Sequence, residues 1–331
     1  MSFFLIGAGS PLVDYTAEVS EEFLKNSVSG CKGGTLNISD AERSRIFAAL
    51  GKAVLRTPGG AAANTICALG RAGISAAFFG KTGMDEDGEY FRNELKSCGV
   101  SPNFLLSGNG QTGYCVSLVT PDAERTMRSN LGVSTDITPA ELKNCRWQDC
   151  RWLLTEGYML AIPGYEAIFE LAKNAGCSTA LDLSSIEIAR RSRETLPELL
   201  GKSIDLIFCN ADEAAALTGV NDPEANAEYL ANLCGMAAVK MGAAGSLVKR
   251  RNEPLCHVEA YSFGNAVDTT AAGDHYAAGF FYGLAGNGDL ARCGSCGSVM
   301  GGAAAAVPGS RIPQEMWDQV MDIIRKKIFN I

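Results

Sequence analysis

Histidine is nearly absent from this 331-residue chain, which contains only His257 and His275. A hydrolase of the Ser-His-Asp type needs a histidine as its general base, and many catalytic zinc sites recruit two or more histidines as ligands. Two histidines in separate segments therefore argue against both kinds of site.

Long apolar runs and an excess of positive charge are also missing. The chain contains no apolar stretch of 18 residues, and its first seven residues lack the basic region and long apolar core of a signal peptide. We therefore expect a cytoplasmic protein with no membrane partner. Its 37 acidic residues outnumber its 29 basic residues, which gives a net charge of −8. A charge of this sign argues against a nucleic-acid partner.

Two sequence patterns that often signal cofactors are incomplete. Gly7-x-Gly9 lacks the third glycine of a dinucleotide-binding turn, and Pro11 opposes a helix directly after it. Cys293-x-x-Cys296 has no second cysteine pair at zinc-like spacing, so helix packing explains it better than a metal does. The 12 cysteines are spread over apparent strands and helices, which is typical of reduced thiols.

The stretch from 266 to 284 is the most informative part of the sequence. Two threonines lead into the run Ala271-Ala-Gly-Asp274, where a helix should begin. The N–H groups of a first helical turn attract anions, and small side chains let a phosphate approach them. A carboxylate beside a phosphate repels it, but a base that takes a proton from an attacking hydroxyl belongs there. The alternative is that Asp268 or Thr269 is an ordinary N-cap and that Asp274 complements the helix dipole.

Short apolar segments alternate regularly with helical segments from about residue 131 onward. This alternation predicts an α/β fold with a doubly wound, mostly parallel sheet, whose ligands bind at the carboxyl ends of the strands. The predicted buried strands are Trp152–Thr155, Thr179–Leu183, Leu206–Cys209 and Ala237–Val239. The side chains expected at their carboxyl ends are Glu156, Asp182, Asn210 and Lys240.

Two earlier segments do not follow this alternation of strands and helices. Residues 15 to 57 are charged and mixed and include a helical run from Asp40 to Leu50, whereas residues 108 to 130 contain a hairpin with a turn at Pro121-Asp122. We expect the two segments to pair into a small β-sheet lid on a protein that forms a single unit over residues 1 to 331.

A second glycine-rich helix start lies at Gly59-Gly60-Ala-Ala-Ala-Asn64. Small residues again expose first-turn N–H groups, and Asn64 would lie beside them, although tight helix packing is an adequate alternative. Asp14 follows the first predicted strand, at the edge where open α/β sheets place their ligands. The alternative for Asp14 is a solvated loop position.

Several of these motifs, in the same order, resemble those of the ribokinase (PfkB) family of carbohydrate and nucleoside kinases. Asp268-Thr-Thr-Ala-Ala-Gly-Asp274 is similar to the family's Asp-Thr-x-Gly-Ala-Gly-Asp motif, and Gly59-Gly60-x-x-x-Asn64 is similar to its acceptor-binding motif. Asn210-Ala-Asp-Glu213 resembles its Asn-x-x-Glu motif, and Gly9-Ser-Pro-Leu-Val-Asp14 resembles the start of adenosine kinases. The resemblance implies a ribokinase-like fold, a water-excluding β lid and an ATP-dependent phosphotransferase.

The resemblance also implies a role for each matching residue. Asp274 would be the general base, beside an anion hole formed by the backbone of Ala271, Ala272 and Gly273. Ala271 replaces a family glycine and is expected to keep helical backbone angles. The residues that would hold the acceptor are Asp14, Gly59, Gly60, Asn64 and Glu156. The residues that would hold ATP are Asn210, Glu213, Lys240, Gly242, Gly245 and Thr269.

The resemblance further predicts Mg²⁺ arranged by Glu213 and a monovalent cation such as K⁺ near Asp268. Lys240 stands where the family has threonine, and the resemblance does not define its role. The resemblance leaves the oligomeric state open, because the lids of this family pair into homodimers in some members and not in others.

The acceptor class depends on two opposing features. The long segment between Asp14 and Gly59 favours a nucleoside, whereas the small side chains after Gly60 and the carboxylate of Glu156 favour a sugar or sugar-like alcohol. We expect a sugar, with adenosine or another nucleoside as the alternative. Two other classes of protein are the rivals. The incomplete glycine motif argues against a dinucleotide-dependent oxidoreductase, and the presence of Asp274 argues against a non-catalytic sugar-binding or regulatory protein.

Overall fold

The computed structural model describes residues 3–51, 54–122 and 124–330. Within these residues the strands are β1 Phe3–Ala8, β2 Leu12–Glu18, β3 Thr35–Asn37, β4 Leu55–Gly59, β5 Ala76–Gly83, β6 Ser101–Gly108, β7 Thr112–Val119, β8 Arg125–Gly132, β9 Cys150–Glu156, β10 Ser178–Asp182, β11 Leu206–Asn210, β12 Met236–Lys240, β13 Ser246–Arg250 and β14 Cys256–Val258.

The helices of the same residues are α1 Glu21–Ser27, α2 Asp40–Leu50, α3 Ala61–Arg71, α4 Glu86–Ser97, α5 Pro139–Asn144, α6 Ala167–Asn174, α7 Ile186–Arg191, α8 Leu196–Ser203, α9 Ala211–Thr218, α10 Pro223–Cys234, α11 Ala272–Ala285, α12 Leu290–Ala305 and α13 Gln314–Ile323. A π-helical segment, Ile324–Phe329, follows α13. None of the described helices is long and apolar enough to cross a membrane.

Nine of the described strands form a large sheet in the order β14-β13-β12-β11-β10-β9-β1-β5-β6. The strands from β12 to β6 pair in parallel, and only β13 and β14 pair antiparallel at one edge. The predicted doubly wound, mostly parallel α/β fold is therefore confirmed.

Both faces of the large sheet are covered, as a parallel sheet requires. Successive residues of one strand point to opposite faces, and they belong to two different hydrophobic clusters. Ile6 and Phe79 lie in one cluster, whereas their chain neighbours Leu5 and Phe78 lie in the other. The two cores explain why the strands are continuous apolar runs rather than alternating ones.

The remaining strands form a five-stranded sheet in the order β3-β8-β7-β2-β4. Its own small core packs Tyr114, Val116 and Leu118 of β7 against Ile46 of α2. These strands come from the two segments that were predicted to form a lid, although residues 52, 53 and 123 of those segments lie outside the described residues. Asp14 lies inside β2 of this sheet, so the alternative of a solvated loop position is wrong.

The ends of four neighbouring strands carry the side chains that the sequence predicted there. Glu156, Asp182, Asn210 and Lys240 are the last residues of β9, β10, β11 and β12. Asp182 is paired with Glu156 in the sheet, and Asn210 with Lys240. The four polar side chains therefore line one edge of the sheet, and the N-termini of α3 and α11 reach that edge.

Candidate active site

Helix α11 begins without a side-chain cap. Ala271 precedes its first turn, and no side chain accepts a hydrogen bond from the N–H groups at this end. Asp268 instead accepts a hydrogen bond from the N–H of Thr270, at 2.8 Å from Oδ1. The alternative in which Asp268 or Thr269 caps the helix is therefore wrong, and the first-turn N–H groups are positioned to bind an anion.

Ala271 does not have the helical backbone angles that the sequence predicted. Its φ of 56° places it in the left-handed region, where a residue with a Cβ is less stable than glycine by about 1 kcal/mol. His275 fixes this conformation, because its backbone N and its Nδ1 both lie 2.9 Å from the carbonyl oxygen of Ala271. Burial lowers the pKa of His275 to about 4, so the neutral ring donates its Nδ1–H at pH 7.

Asp274, in the first turn of α11, is held by two consecutive residues of α3. The Nδ2 of Asn64 donates to Oδ2 of Asp274 at 2.9 Å, and Oγ1 of Thr65 donates to the Asp274 carbonyl at 3.0 Å. Burial and the charge of Asp182 raise the pKa of Asp274 to about 7, although Asn64 and Lys240 oppose this rise. A carboxylate with a pKa near neutrality is suited to accept a proton from a hydroxyl group.

Lys240 places an ammonium group against the start of α11. Its Nζ lies 3.2 Å from Oδ2 of Asp182, and a Cβ built on Gly273 would lie 3.0 Å from the same nitrogen. Burial lowers the pKa of Lys240, but the carboxylates of Asp182, Glu213 and Asp274 outweigh it and raise the pKa above its ordinary value. The side chain is therefore charged, and it adds a positive charge beside the proposed anion hole.

Glu156 organises the start of α3. It is 2% exposed, and it accepts hydrogen bonds from the N–H of Ser10 at Oε1 and of Ala62 at Oε2, both at 2.9 Å. Burial raises the pKa of Glu156, although these two N–H groups oppose the rise. Its contacts in the structure are with the backbone, so its predicted contact with the acceptor stays a prediction. Gly60 has a φ of 98°, and a Cβ there would lie 2.3 Å from the carbonyl oxygen of Ser10.

Asp14 and Gly59 meet on neighbouring strands of the small sheet. A Cβ on Gly59 would lie 2.4 Å from Oδ2 of Asp14, so only glycine leaves room for this carboxylate. Burial raises the pKa of Asp14 to about 7, and the nearby guanidinium of Arg125 opposes the rise. The small sheet therefore carries a buried carboxylate beside Gly59, and its predicted contact with the acceptor stays a prediction.

Asn210 and Glu213 form a reciprocal cap at the start of α9. The N–H of Asn210 donates to Oε2 of Glu213, and the N–H of Glu213 donates to Oδ1 of Asn210, each at 2.8 Å. Burial raises the pKa of Glu213, and Lys240 opposes the rise. The ordinary helix cap is thus present, and the predicted additional role toward Mg²⁺ and ATP stays a prediction.

Gly242 and Gly245 shape the turn from β12 to β13, directly after Lys240. Their φ values are 59° and 85°, and a Cβ on Gly245 would lie 2.0 Å from the carbonyl oxygen of Val258. Position 245 therefore requires glycine, whereas a Cβ on Gly242 would lie in open space and only its φ favours glycine. Thr269, which the sequence assigned to the nucleotide, is exposed on the segment before α11, where its carbonyl accepts a hydrogen bond from Ala272 at 3.3 Å.

Asp268 connects the segment before α11 to the small sheet. It forms an ion pair with Arg125 of β8 and accepts a hydrogen bond from the N–H of Gly309 at 2.9 Å. Arg125 was missed by the sequence reasoning, as was the support that His275 gives to Ala271. The sequence carries no signal for either contact, because each depends on how distant segments pack.

The structure therefore brings most of the predicted residues to one edge. Asn64, Asp274, Gly273 and Lys240 are joined by direct contacts, and Glu156 holds the helix that carries Asn64. Asp14 and Gly59 form a separate pair on the small sheet. Arg125 of the same sheet forms an ion pair with Asp268, which precedes α11.

Comparisons with known proteins agree with this geometry. The sequence profile of the pfkB family of carbohydrate kinases matches residues 39–317. The chain is 29% identical to an adenosine kinase from Sinorhizobium meliloti whose crystal structure superposes with a TM-score of 0.86, covering 97% of this chain and 99% of that one. It is 26% identical to the adenosine kinase of Saccharomyces cerevisiae, over 94% of this chain and 97% of that protein. It is 25% identical to the ribokinase of Staphylococcus aureus, over 78% of this chain and 81% of that protein.

Proposed function

Because the chain belongs to the pfkB family of carbohydrate kinases, which are ATP-dependent phosphotransferases, we propose that it phosphorylates a hydroxyl of a sugar or sugar-like acceptor with Asp274 as the general base. The observation that carries this proposal is the contact between Asn64 and Asp274. It joins the two glycine-rich helix starts, at 2.9 Å between Nδ2 and Oδ2. One side of this contact suits an acceptor hydroxyl and the other side suits a phosphate.

On the acceptor side, Asn64 orients Asp274, so that its second oxygen faces the hydroxyl to be deprotonated. Asp14 and the backbone around Gly59 and Gly60 would bind the other hydroxyls, and Glu156 keeps the first turn of α3 in place. A pKa of Asp274 near 7 means that the base is ready at neutral pH and holds the proton firmly enough to take it from the hydroxyl.

On the nucleotide side, the N–H groups after Ala271 and the ammonium of Lys240 stabilise negative charge on the transferring phosphoryl group. ATP commonly carries Mg²⁺, which is bound through one or two protein carboxylates together with phosphates and water. The buried carboxylates of Glu213 and Asp182 at this edge fit that donor set. The ion would neutralise phosphate charge, while Lys240 supplies a fixed positive charge of the protein.

The donor set near Asp268 fits a monovalent cation poorly. Both of its carboxylate oxygens already accept from the protein, through Arg125, Thr270 and Gly309. The guanidinium of Arg125 supplies the positive charge that a K⁺ ion would bring. We therefore derive no step through such an ion.

A nucleoside is the second candidate acceptor, because the adenosine kinases above match nearly the full length of the chain. The small side chains after Gly60 keep a sugar as the first candidate, since they provide no flat apolar wall for a base. A homodimer through the small sheet also stays a proposal, to be checked by the sedimentation of the purified protein.

The acceptor class can be decided by competition. ATP consumption would be measured with ribose, fructose, related sugar acids and adenosine at equal concentration, for the wild type and for Asp274→Asn. We expect a sugar to have the highest kcat/KM and the variant to be nearly inactive with every acceptor. A preference for adenosine of more than tenfold would reject the sugar and leave the kinase intact. An active Asp274→Asn variant would reject the proposed base.

A further inference from the structure

Two cysteines meet in a small cleft behind the active site. Cys67 of α3 and Cys98, which ends α4, are free cysteines that both line this cleft. The cleft is also lined by Asn64, Arg71 and Arg311. Cys98 is buried and Cys67 is partly exposed, so the pair has access to small solutes through the side of Cys67.

The backbone holds the two cysteines together. Gly70 lies one turn after Cys67, and a Cβ at Gly70 would be 2.5 Å from the carbonyl oxygen of Cys98. Only glycine permits α3 to approach the end of α4 so closely. A disulfide requires two Cα atoms within about 7 Å, and the close approach of Gly70 to Cys98 brings α3 and the end of α4 together at this point.

The thiols of Cys67 and Cys98 differ in pKa, and nearby positive charge contributes to this difference. The Nη2 of Arg311 lies 3.4 Å from Sγ of Cys98, and Arg311 also forms an ion pair with Glu94. The neighbouring Cys67 thiol lowers the pKa of Cys98 most, Arg311 and Arg71 lower it further, and burial opposes them. The neighbouring Cys98 sulfur, together with burial, raises the pKa of Cys67. This arrangement favours a thiolate at Cys98 and a thiol at Cys67.

We propose that Cys98 and Cys67 form a peroxide-reactive dithiol, in which Cys98 is the attacking group and Cys67 resolves the product into a disulfide. The Cys98 thiolate attacks one oxygen of hydrogen peroxide, the O–O bond breaks, and hydroxide leaves and takes up a proton to become water. Cys98 is then a sulfenic acid. The Cys67 sulfur attacks the Cys98 sulfur, the S–O bond breaks, and the departing oxygen leaves as water with the Cys67 proton. Two thiols lose two electrons, and one peroxide becomes two waters.

The dithiol is linked to the active site through α3. Cys67 lies one turn after Asn64, whose amide holds Asp274 at 2.9 Å. Forming the disulfide draws the Cys67 side chain toward α4 and shifts the face of the helix that carries Asn64. We therefore expect oxidation to lower turnover reversibly, a consequence that rests on the proposed function of Asn64 and Asp274.

The test treats the whole purified protein with hydrogen peroxide, blocks the remaining thiols and maps the peptides by mass spectrometry. A Cys67–Cys98 disulfide should form before the exposed Cys31 is oxidised, and dithiothreitol should reverse it. At pH 5, below the Cys98 pKa of about 6, Arg311→Gln should slow disulfide formation about tenfold for each unit by which the lost charge raises that pKa. The matched variant Glu94→Gln breaks the ion pair with Arg311 but keeps the Arg311 charge, so it should not slow disulfide formation. Melting temperatures show that both variants are folded.

Three results would overturn the proposal: oxidation of Cys31 first, over-oxidation of Cys98 without a link to Cys67, or equal rates in the two variants. A disulfide that forms without any change in turnover would overturn the link to the active site. If the reduced protein phosphorylates neither ribose nor adenosine, the acceptor proposal fails instead, because the mass measurement does not depend on turnover.

Discussion

The hydrogen bond from Asn64 to Asp274 should set the pH at which the enzyme becomes active. As the proposed base, Asp274 would work only when it is ionised, and its pKa of about 7 places the expected acidic limb of the pH profile near neutrality. Asn64 stabilises the ionised form. The variant Asn64→Ala should therefore raise the pKa of Asp274 and move the acidic limb of kcat/KM to higher pH.

The size of the shift follows from the hydrogen bond that is lost. A hydrogen bond to a charged group contributes about 1.5–3 kcal/mol, and one pKa unit corresponds to about 1.4 kcal/mol. The limb should thus move up by about one to two units. Asn64 is also proposed to touch the acceptor, so the level of activity will fall as well. The position of the limb is therefore the informative quantity.

The assay is kcat/KM for the preferred acceptor against pH, at saturating ATP and Mg²⁺, for the wild type, Asn64→Ala and Thr65→Val. Thr65 is the matched control, because it binds the backbone carbonyl of Asp274 rather than its carboxylate. Thr65→Val should alter stability and leave the limb in place. If the limb of Asn64→Ala stays within a few tenths of a unit of the Thr65→Val limb, then Asn64 does not tune the base and the reasoning is refuted.

Three further predictions concern the start of α11. Asp274→Asn should lower kcat by about 10²–10⁴ with little change in KM, and it should melt at a higher temperature than the wild type at pH 8. The sign follows from linkage, because the pKa of Asp274 in the folded protein, about 7, exceeds its ordinary value of 3.8. The folded wild type therefore loses stability as the pH rises from about 4 to 7, and asparagine, which does not ionise, avoids this loss. The difference in melting temperature between the variant and the wild type should vanish toward pH 4. Gly273→Val places a side chain against Nζ of Lys240, since the Cβ alone would lie 3.0 Å from that nitrogen. Turnover should be lost while the circular dichroism spectrum stays unchanged. Retained turnover would contradict the proposed anion hole. Ala271→Gly should relieve the left-handed conformation and stabilise the protein by about 1 kcal/mol, measured by urea unfolding, and a loss of stability would show that His275 imposes no strain there.

The sequence by itself determined the α/β class and the edge of the sheet where we propose that the chemistry takes place. Buried parallel strands are continuous apolar runs, and the polar residue that ends each run must face the ligand edge, which located Glu156, Asp182, Asn210 and Lys240. Glycine-rich helix starts are local as well, because small residues and first-turn N–H groups are adjacent in the chain. The sequence therefore placed Asp274 and Asn64 on the first turns of two helices without the fold.

Only the tertiary structure decided what these residues contact. The pairing of Asn64 with Asp274 joins residues 210 positions apart, and the ion pair of Arg125 with Asp268 joins residues 143 positions apart. Contacts between residues so far apart in the chain cannot be predicted from local composition or periodicity. The left-handed angle of Ala271 was also invisible, because alanine favours a helical conformation and only the hydrogen bonds from His275 overrule that preference. The proposed role of Lys240 also depends on the tertiary structure. Its positive charge lies beside the proposed anion hole only because the start of α11, from a distant part of the chain, packs against its side chain.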